Sequence, residues 1–209
     1  MFSLQQLFGK GDKFLDLLAA AAQEAHESVR LTIEFIKSPR ETRTLDDLVI
    51  ARRKEKKISE QISEELVKTF ATGMEREDIE ALARTIYKIP KTAEKLAERF
   101  SIAGPHLPGV DFSKQADMMI KATDVVLSMI KQLRHMEDLE KIKELNDKLQ
   151  YIEGEADKLM MDQLRDLYGG KYDALRAIVI RDLYELSEKV VDRCRDVGNV
   201  VMDIVLKNS

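Results

Sequence analysis

The sequence lacks what a disulfide-bonded, β-rich or membrane-spanning protein would need. It has one cysteine, Cys194, so no disulfide framework can form and a reducing compartment is expected. Tryptophan is absent, aromatics make up 6 %, and there are only 9 glycines and 4 prolines. That is too few turn formers and aromatics for a β-sandwich. No run of about 18 uncharged apolar residues exists, so no membrane span is expected. Met1 to Lys10 lack the basic start and long apolar core of a signal peptide. A basic surplus is missing too. The net charge is −4, and because residues 1–104 are charge-balanced the whole excess of acid lies in residues 105–209. Bulk charge therefore argues against a nucleic-acid binder.

Apolar residues at 44 % and charged residues at 34 % exclude disorder and suit a soluble all-helical protein. Six stretches carry apolar residues at helical spacing. The first runs from Gly11 to Lys37 and stops at Ser38-Pro39. The second runs from Leu45 through Ile58, Ile62 and Leu66 to Phe70, before Thr72-Gly73. The third opens near Glu75 with acids in its first turn, as the helix dipole favours, and ends at Phe100. Gly104-Pro105-His106-Leu107-Pro108-Gly109 is the sharpest boundary in the chain. Beyond it, a fourth helix carries Phe112 to Leu133, a fifth runs from Leu139 to Tyr168 before Gly169-Gly170, and a sixth runs from Asp173 to Leu206. Pro90 should kink the third helix near Ile86. Gly154 inside the fifth marks either a close approach beside Glu153 or a tolerated cost. Helices of this length joined by short turns pack as antiparallel bundles.

The boundary divides the chain into 1–104 and 105–209, each with three helices. A shift of 97 lays Arg84-Thr85-Ile86-Tyr87 on Arg181-Asp182-Leu183-Tyr184, and a shift of 100 relates the second and fifth helices less well. The expected architecture is all-α, with six long helices forming two tandem three-helix units.

The acidic surplus is patterned. Asp182, Glu185, Glu188, Asp192 and Asp196 lie at spacings that keep them on one stripe of the sixth helix. Glu153 and Asp157 lie one turn apart on the fifth. Like charges so spaced weaken a helix by a few tenths of a kcal/mol per pair. One reading is a metal site, because carboxylates on facing helices are how bundles hold cations. The other is a solvated face screened by Arg181, Lys189, Arg193 and Arg195. A ferritin-like di-iron site needs Glu-x-x-His, and none of His26, His106 or His135 has a Glu three residues before it. The histidines are scattered and expected to be exposed. Cys194 is expected to be a buried small thiol. No nucleophile–base constellation, phosphate-cradling glycine loop or dinucleotide motif is present, so no enzyme is expected.

Glu153-Gly-Glu-Ala-Asp157, followed by Arg181-Asp-Leu-Tyr-Glu-Leu-Ser-Glu188-Lys-Val-Val-Asp192-Arg-Cys-Arg-Asp196, resembles the PhoU-like phosphate-transport regulators, and within them the Pit-accessory branch. The resemblance extends from Phe8-Gly-Lys to Ile204-Val-Leu-Lys-Asn208. It implies two three-helix bundles and a Glu/Asp-x-x-x-Asp motif on two helices of each, holding iron, zinc or another metal. By position Glu153 with Asp157 and Glu188 with Asp192 match the motif, and Asp196 extends it. The first half departs from the pattern. The same two shifts put Arg53, Lys57, Lys88, Lys91, Lys95 and Arg99 where the motif acids should be, and Thr85 in place of Asp182. One metal site per chain is expected, in the second half. The basic residues form a solvated face, an anion or phosphate-group site, or a docking surface for an acidic partner. That partner could be a transporter loop, or the acidic half of the same chain or of another copy in a homo-oligomer. The resemblance implies a cytoplasmic regulator or accessory of inorganic phosphate transport, peripheral to the membrane through its partner. The alternative is a metal-free helical interaction protein that assembles through complementary charged faces.

Overall fold

In a computed structural model, residues 4–70 and 72–208 are described, with side chains from residue 13 onward except that of Glu41. The backbone forms α1 (Leu4–Lys37), α2 (Asp46–Lys68), α3 (Arg76–Ala103), α4 (Ser113–Gln132), α5 (Leu139–Asp166) and α6 (Ala174–Lys207), with no strand among the described residues. The all-α expectation and the order of six long helices hold. α1 reaches back to Leu4, through Gly9 and Gly11, rather than starting at Gly11. The Phe8-Gly-Lys start lies in this stretch, and its side chains fall outside the described residues. α3 continues across Pro90, whose ring is buried.

Three arginines satisfy carbonyls that the chain leaves unpaired where helices end. Arg43 Nε and Nη2 donate to the Ser38 and Ile36 carbonyls (3.0 and 2.9 Å), closing α1. Arg76 Nη1 donates to Thr69 O at 2.7 Å, and Nη2 to Leu66 O, closing α2. Arg176 Nε donates to His106 O at 2.9 Å, and Nη2 to Pro108 O, pinning the central connection. Because α2 stops at Lys68 and Thr69 turns extended, Phe70 does not continue its apolar face and is 96 % exposed. α5 and α6 begin at Asp138 and Asp173, whose carboxylates accept from Lys141 N (3.1 Å) and Arg176 N (3.0 Å). α5 ends in a wide turn in which Gly170 takes φ 87°, a conformation that favours glycine.

α2 packs on α1 and α3, and α5 packs on α4 and α6. The two triplets lie side by side, α1 against α4 and α3 against α6, over one continuous apolar core. Polar links also cross the seam. His26 Nε2 lies 2.8 Å from Asp124 Oδ1, and Lys207 Nζ donates to Asp78 Oδ1 at 2.7 Å. His26 is half-buried in this contact rather than exposed as expected.

Burial corrects the repeat register. A single shift of 101 carries the buried positions Leu48, Ala51 and Glu55 of α2 onto Leu149, Ile152 and Ala156 of α5. The same shift carries Ile79, Leu82, Ile86, Ile89, Pro90, Ala93, Leu96, Ala97 and Phe100 of α3 onto Ile180, Leu183, Ser187, Val190, Val191, Cys194, Val197, Gly198 and Val201 of α6. The shift of 97 missed by four residues, about one helical turn, which preserves apolar spacing and so escapes detection in the sequence.

Candidate functional site: a charged seam between α5 and α6

α5 is held close to α6 at Gly198, where an added Cβ would come within 2.8 Å of Leu149 Cδ2 and 2.9 Å of Asn146 Oδ1. Gly154, by contrast, faces open space, and no helix approaches it closely. About one turn before Gly198, the two helices bring their acids together. Asp192 is buried, Glu153, Glu188 and Asp196 are half-buried, and Asp157 is exposed.

Arg195 links the helices. Its Nη1 donates to Glu153 Oε1 on α5 at 2.8 Å, and its Nη2 donates to Asp192 Oδ1 on α6. Lys189 donates to the other oxygen of Asp192, and Arg193 Nη1 donates to Asp196 Oδ2 at 2.8 Å. Burial alone would raise the Asp192 carboxyl, but Lys189, Arg195 and Arg193 outweigh it and hold the group below the usual carboxylate range. Glu188 has no such partner among the described residues. Burial, with the charges of Asp192, Asp157 and Glu153 outweighing that of Lys189, pushes it up to about 7. Among the described residues no three His, Cys, Asp or Glu side chains are grouped closely enough to hold one ion. The five acids expected as ligands share one seam, but three of them are already paired with basic side chains. Cys194 is fully buried beside them, and burial pushes its thiol up, leaving it inert.

The corrected register redraws the basic face. The counterparts of Glu153, Asp157, Glu188, Asp192 and Asp196 are Arg52, Lys56, Tyr87, Lys91 and Lys95. Arg53 and Lys57 therefore stand one residue out of phase, and Lys88 and Arg99 match Lys189 and Val200. Arg52 on α2 pairs with Glu94 on α3, and Glu94 is the counterpart of Arg195. The interhelix ion pair is thus kept in both halves with its polarity reversed. Sequence reasoning missed it because it treated Arg195 only as screening. The six expected cations Arg53, Lys57, Lys88, Lys91, Lys95 and Arg99 are all exposed, and none has an acidic partner within 4.0 Å among the described residues.

A second feature was not anticipated. Glu55, on α2, is 0 % exposed, and neither carboxylate oxygen has a hydrogen-bond partner. Burial pushes it up to about 8, with the charge of Glu24 adding to the shift and that of Arg52 opposing it. Glu24 Oε2 and Ser28 Oγ, on the facing α1, are also buried without partners.

A PhoU-like protein from Shewanella oneidensis MR-1 superposes on the chain with a TM-score of 0.84, at 15 % identity over 93 % of this chain and 99 % of that one. The fold is PhoU-like. A second PhoU-like structure from the same organism superposes with a TM-score of 0.76 over the same shares. Among curated proteins, the UPF0111 protein YkaA of Bacillus subtilis (strain 168) is 27 % identical over 206 residues, 96 % of this chain and 98 % of its own. A Rhizobium meliloti (strain 1021) protein named "Putative pit accessory protein" is 23 % identical over 217 residues, 98 % of this chain and 97 % of its own. No family model matches. These similarities cover nearly the whole chain, as does the resemblance noted in the sequence. Among the described residues no helix is long and apolar enough to cross a membrane.

Proposed function

We propose that this chain is a cytoplasmic regulator or accessory of inorganic phosphate transport that acts by binding a transporter or regulatory partner rather than by catalysis. Support comes from the PhoU-like fold along the chain and from a full-length relative whose name refers to Pit accessory function. The unpaired basic side chains on α2 and α3 offer an acidic partner segment a docking surface.

The cation reading of the second half rests on one observation. Glu188 is half-buried, lies near Asp192, Asp157 and Glu153, and has no ion-pair partner among the described residues. Counting Glu153, Asp157, Glu188, Asp192 and Asp196 against Lys189, Arg193 and Arg195, the seam carries a surplus of negative charge. Carboxylate oxygens with that surplus suit the chemistry of a hard or borderline cation, which would have to draw the acids closer together than they stand here. Glu188 and Asp157 would hold it, with Glu153 and Asp192 shared with Arg195. When bound, an iron or zinc ion would tie α5 to α6 and offer coordination positions to a phosphate or a partner's carboxylate. The metal-free reading has its own observation, namely that Arg195 already supplies a cation between the helices.

Elemental analysis of untagged, chelator-free protein beside Glu188→Gln/Asp192→Asn separates the two. About one ion per chain, lost in the variant, supports the metal site. No metal in either, even after incubation with iron, zinc and manganese, leaves the charged faces to act alone.

A further inference from the structure

At the junction of the two halves lies a cleft of about 600 Å³, bounded by the end of α1, the end of α3, the connection after Gly104 and the start of α4. We propose that this cleft binds a nucleoside phosphate. The inference does not depend on the transport reading or on the α5–α6 seam.

The volume falls within the range of about 300–1,000 Å³ typical of small-molecule sites. Its floor is apolar. Ile36, Leu107, Phe100 and Phe112 contribute to it, the two rings meeting edge to face with centroids 5.0 Å apart. Its rim is basic, with Lys37, Arg40 and Arg43 standing against one acid, Asp111. That acid is hydrogen-bonded within the lining. Its oxygens accept from Ser113 N at 2.9 Å and Ser113 Oγ at 2.8 Å, at the start of α4. Lys37 and Arg40 are exposed, and neither has an acidic partner within 4.0 Å among the described residues. Arg43 is fixed by its bonds to the Ser38 and Ile36 carbonyls, and its guanidinium lies 4.9 Å from the Phe100 ring centroid. Gly104 completes the rim. An added Cβ there would come within 3.1 Å of Arg40 Nε, so the glycine lets that side chain lie across the connection.

The two parts of the lining call for two parts of one ligand. A bare phosphate would satisfy the cations and leave the apolar floor wet. An uncharged ring would cover the floor and leave Lys37 and Arg40 unmatched. A planar base with a phosphate chain meets both, through contact with the apolar floor and with the Arg43 guanidinium on one side and charge-assisted hydrogen bonds on the other. The cleft touches α1, α3, α4 and their connection, so its occupant would contact both halves of the molecule.

Isothermal titration of the full chain with ATP, ADP, adenosine and pyrophosphate tests the assignment. ATP and ADP should bind, with adenosine and pyrophosphate each at least about tenfold weaker. Lys37→Glu/Arg40→Glu should weaken ATP at least about tenfold without changing the thermal midpoint, since both side chains are exposed. Val110 also lines the cleft and is half-buried, and Val110→Trp should weaken ATP and leave pyrophosphate unchanged. No ATP binding, pyrophosphate as tight as ATP, or ATP affinity unchanged in the double variant would each overturn the proposal.

Discussion

Glu55→Gln should make the protein more stable, and by an amount that grows with pH. Glu55 is fully buried, its oxygens have no partners, and its folded-state carboxyl is pushed up to about 8 from an ordinary value of 4.5. A carboxyl raised on folding keeps its proton in the folded chain while the unfolded chain loses it. Its contribution is therefore fully present below the unfolded value and is lost as pH rises through the folded one. Each unit of displacement is worth about 1.4 kcal/mol, so at pH 7 wild type forgoes about 3 kcal/mol that it would have at low pH. Glutamine has nearly the same volume and does not titrate. Urea unfolding of both proteins, followed by far-UV circular dichroism from about pH 5 to pH 8, reads the difference directly. The stability gap in favour of the variant should widen by about 2–3 kcal/mol between pH 5 and pH 7. Titrating groups that do not interact with Glu55 cancel in this comparison, because they are common to both chains. Two parallel profiles, with a constant gap across the range, would show that Glu55 ionises as freely in the fold as outside it.

Arg195→Gln removes the cation shared by Glu153 and Asp192, and should cost about 1–3 kcal/mol in metal-free buffer. Manganese or zinc should then raise the variant's thermal midpoint more than that of wild type, and equal shifts would refute competition between Arg195 and a metal. The two helical glycines should respond with opposite signs in urea unfolding. Gly198→Ala, with a Cβ forced against Leu149 and Asn146, should cost about 1–3 kcal/mol. Gly154→Ala, in open space, should gain up to about 1 kcal/mol.

Helix number, order and most ends were legible because they depend on local signals. Apolar spacing, the Ser38-Pro39 stop, the glycine–proline connection and the Gly169-Gly170 break each act over a few residues. Phe70 misled because its spacing continues the α2 pattern, while the helix ends two residues earlier at carbonyls claimed by Arg76, and that contact comes from the next element. The acids of the second half were legible as a pattern, since successive turns of one helix place side chains on one stripe. What they bond to was not. Arg195 looks like a neighbour that screens charge, and only the packing of α5 on α6 shows that it crosses to Glu153. The register of the first half was wrong for a related reason. Sliding a helix by four residues preserves its apolar face, so Lys88 and Arg99 looked like ligand replacements until burial fixed the shift at 101. Glu55 was invisible as a buried acid because its neighbours in the sequence, Lys54, Lys56 and Lys57, give α2 the look of a solvated stretch.

The corrected register also bears on why charge differs between the halves while packing does not. An ion pair between the second and third helices of each unit requires opposite signs at two positions, but does not specify which helix carries which. Arg52–Glu94 and Glu153–Arg195 satisfy that requirement in opposite senses, and the buried positions around them match. The choice of polarity then shapes the rest of each face. With the acid on α5, further carboxylates one turn away leave Glu188 short of a cation. With the arginine on α2, the equivalents of Asp192 and Asp196 are Lys91 and Lys95, both exposed and without an acidic partner among the described residues. One backbone unit thus presents an unmet negative charge in one half and unmet positive charges in the other. The core tolerates either choice, because the buried positions around the pair match in the two halves whichever helix carries the acid. On the proposed reading, the second half would draw a cation or basic partner and the first an anion or acidic one. The two pseudo-equivalent surfaces differ in charge without any change in how the helices pack.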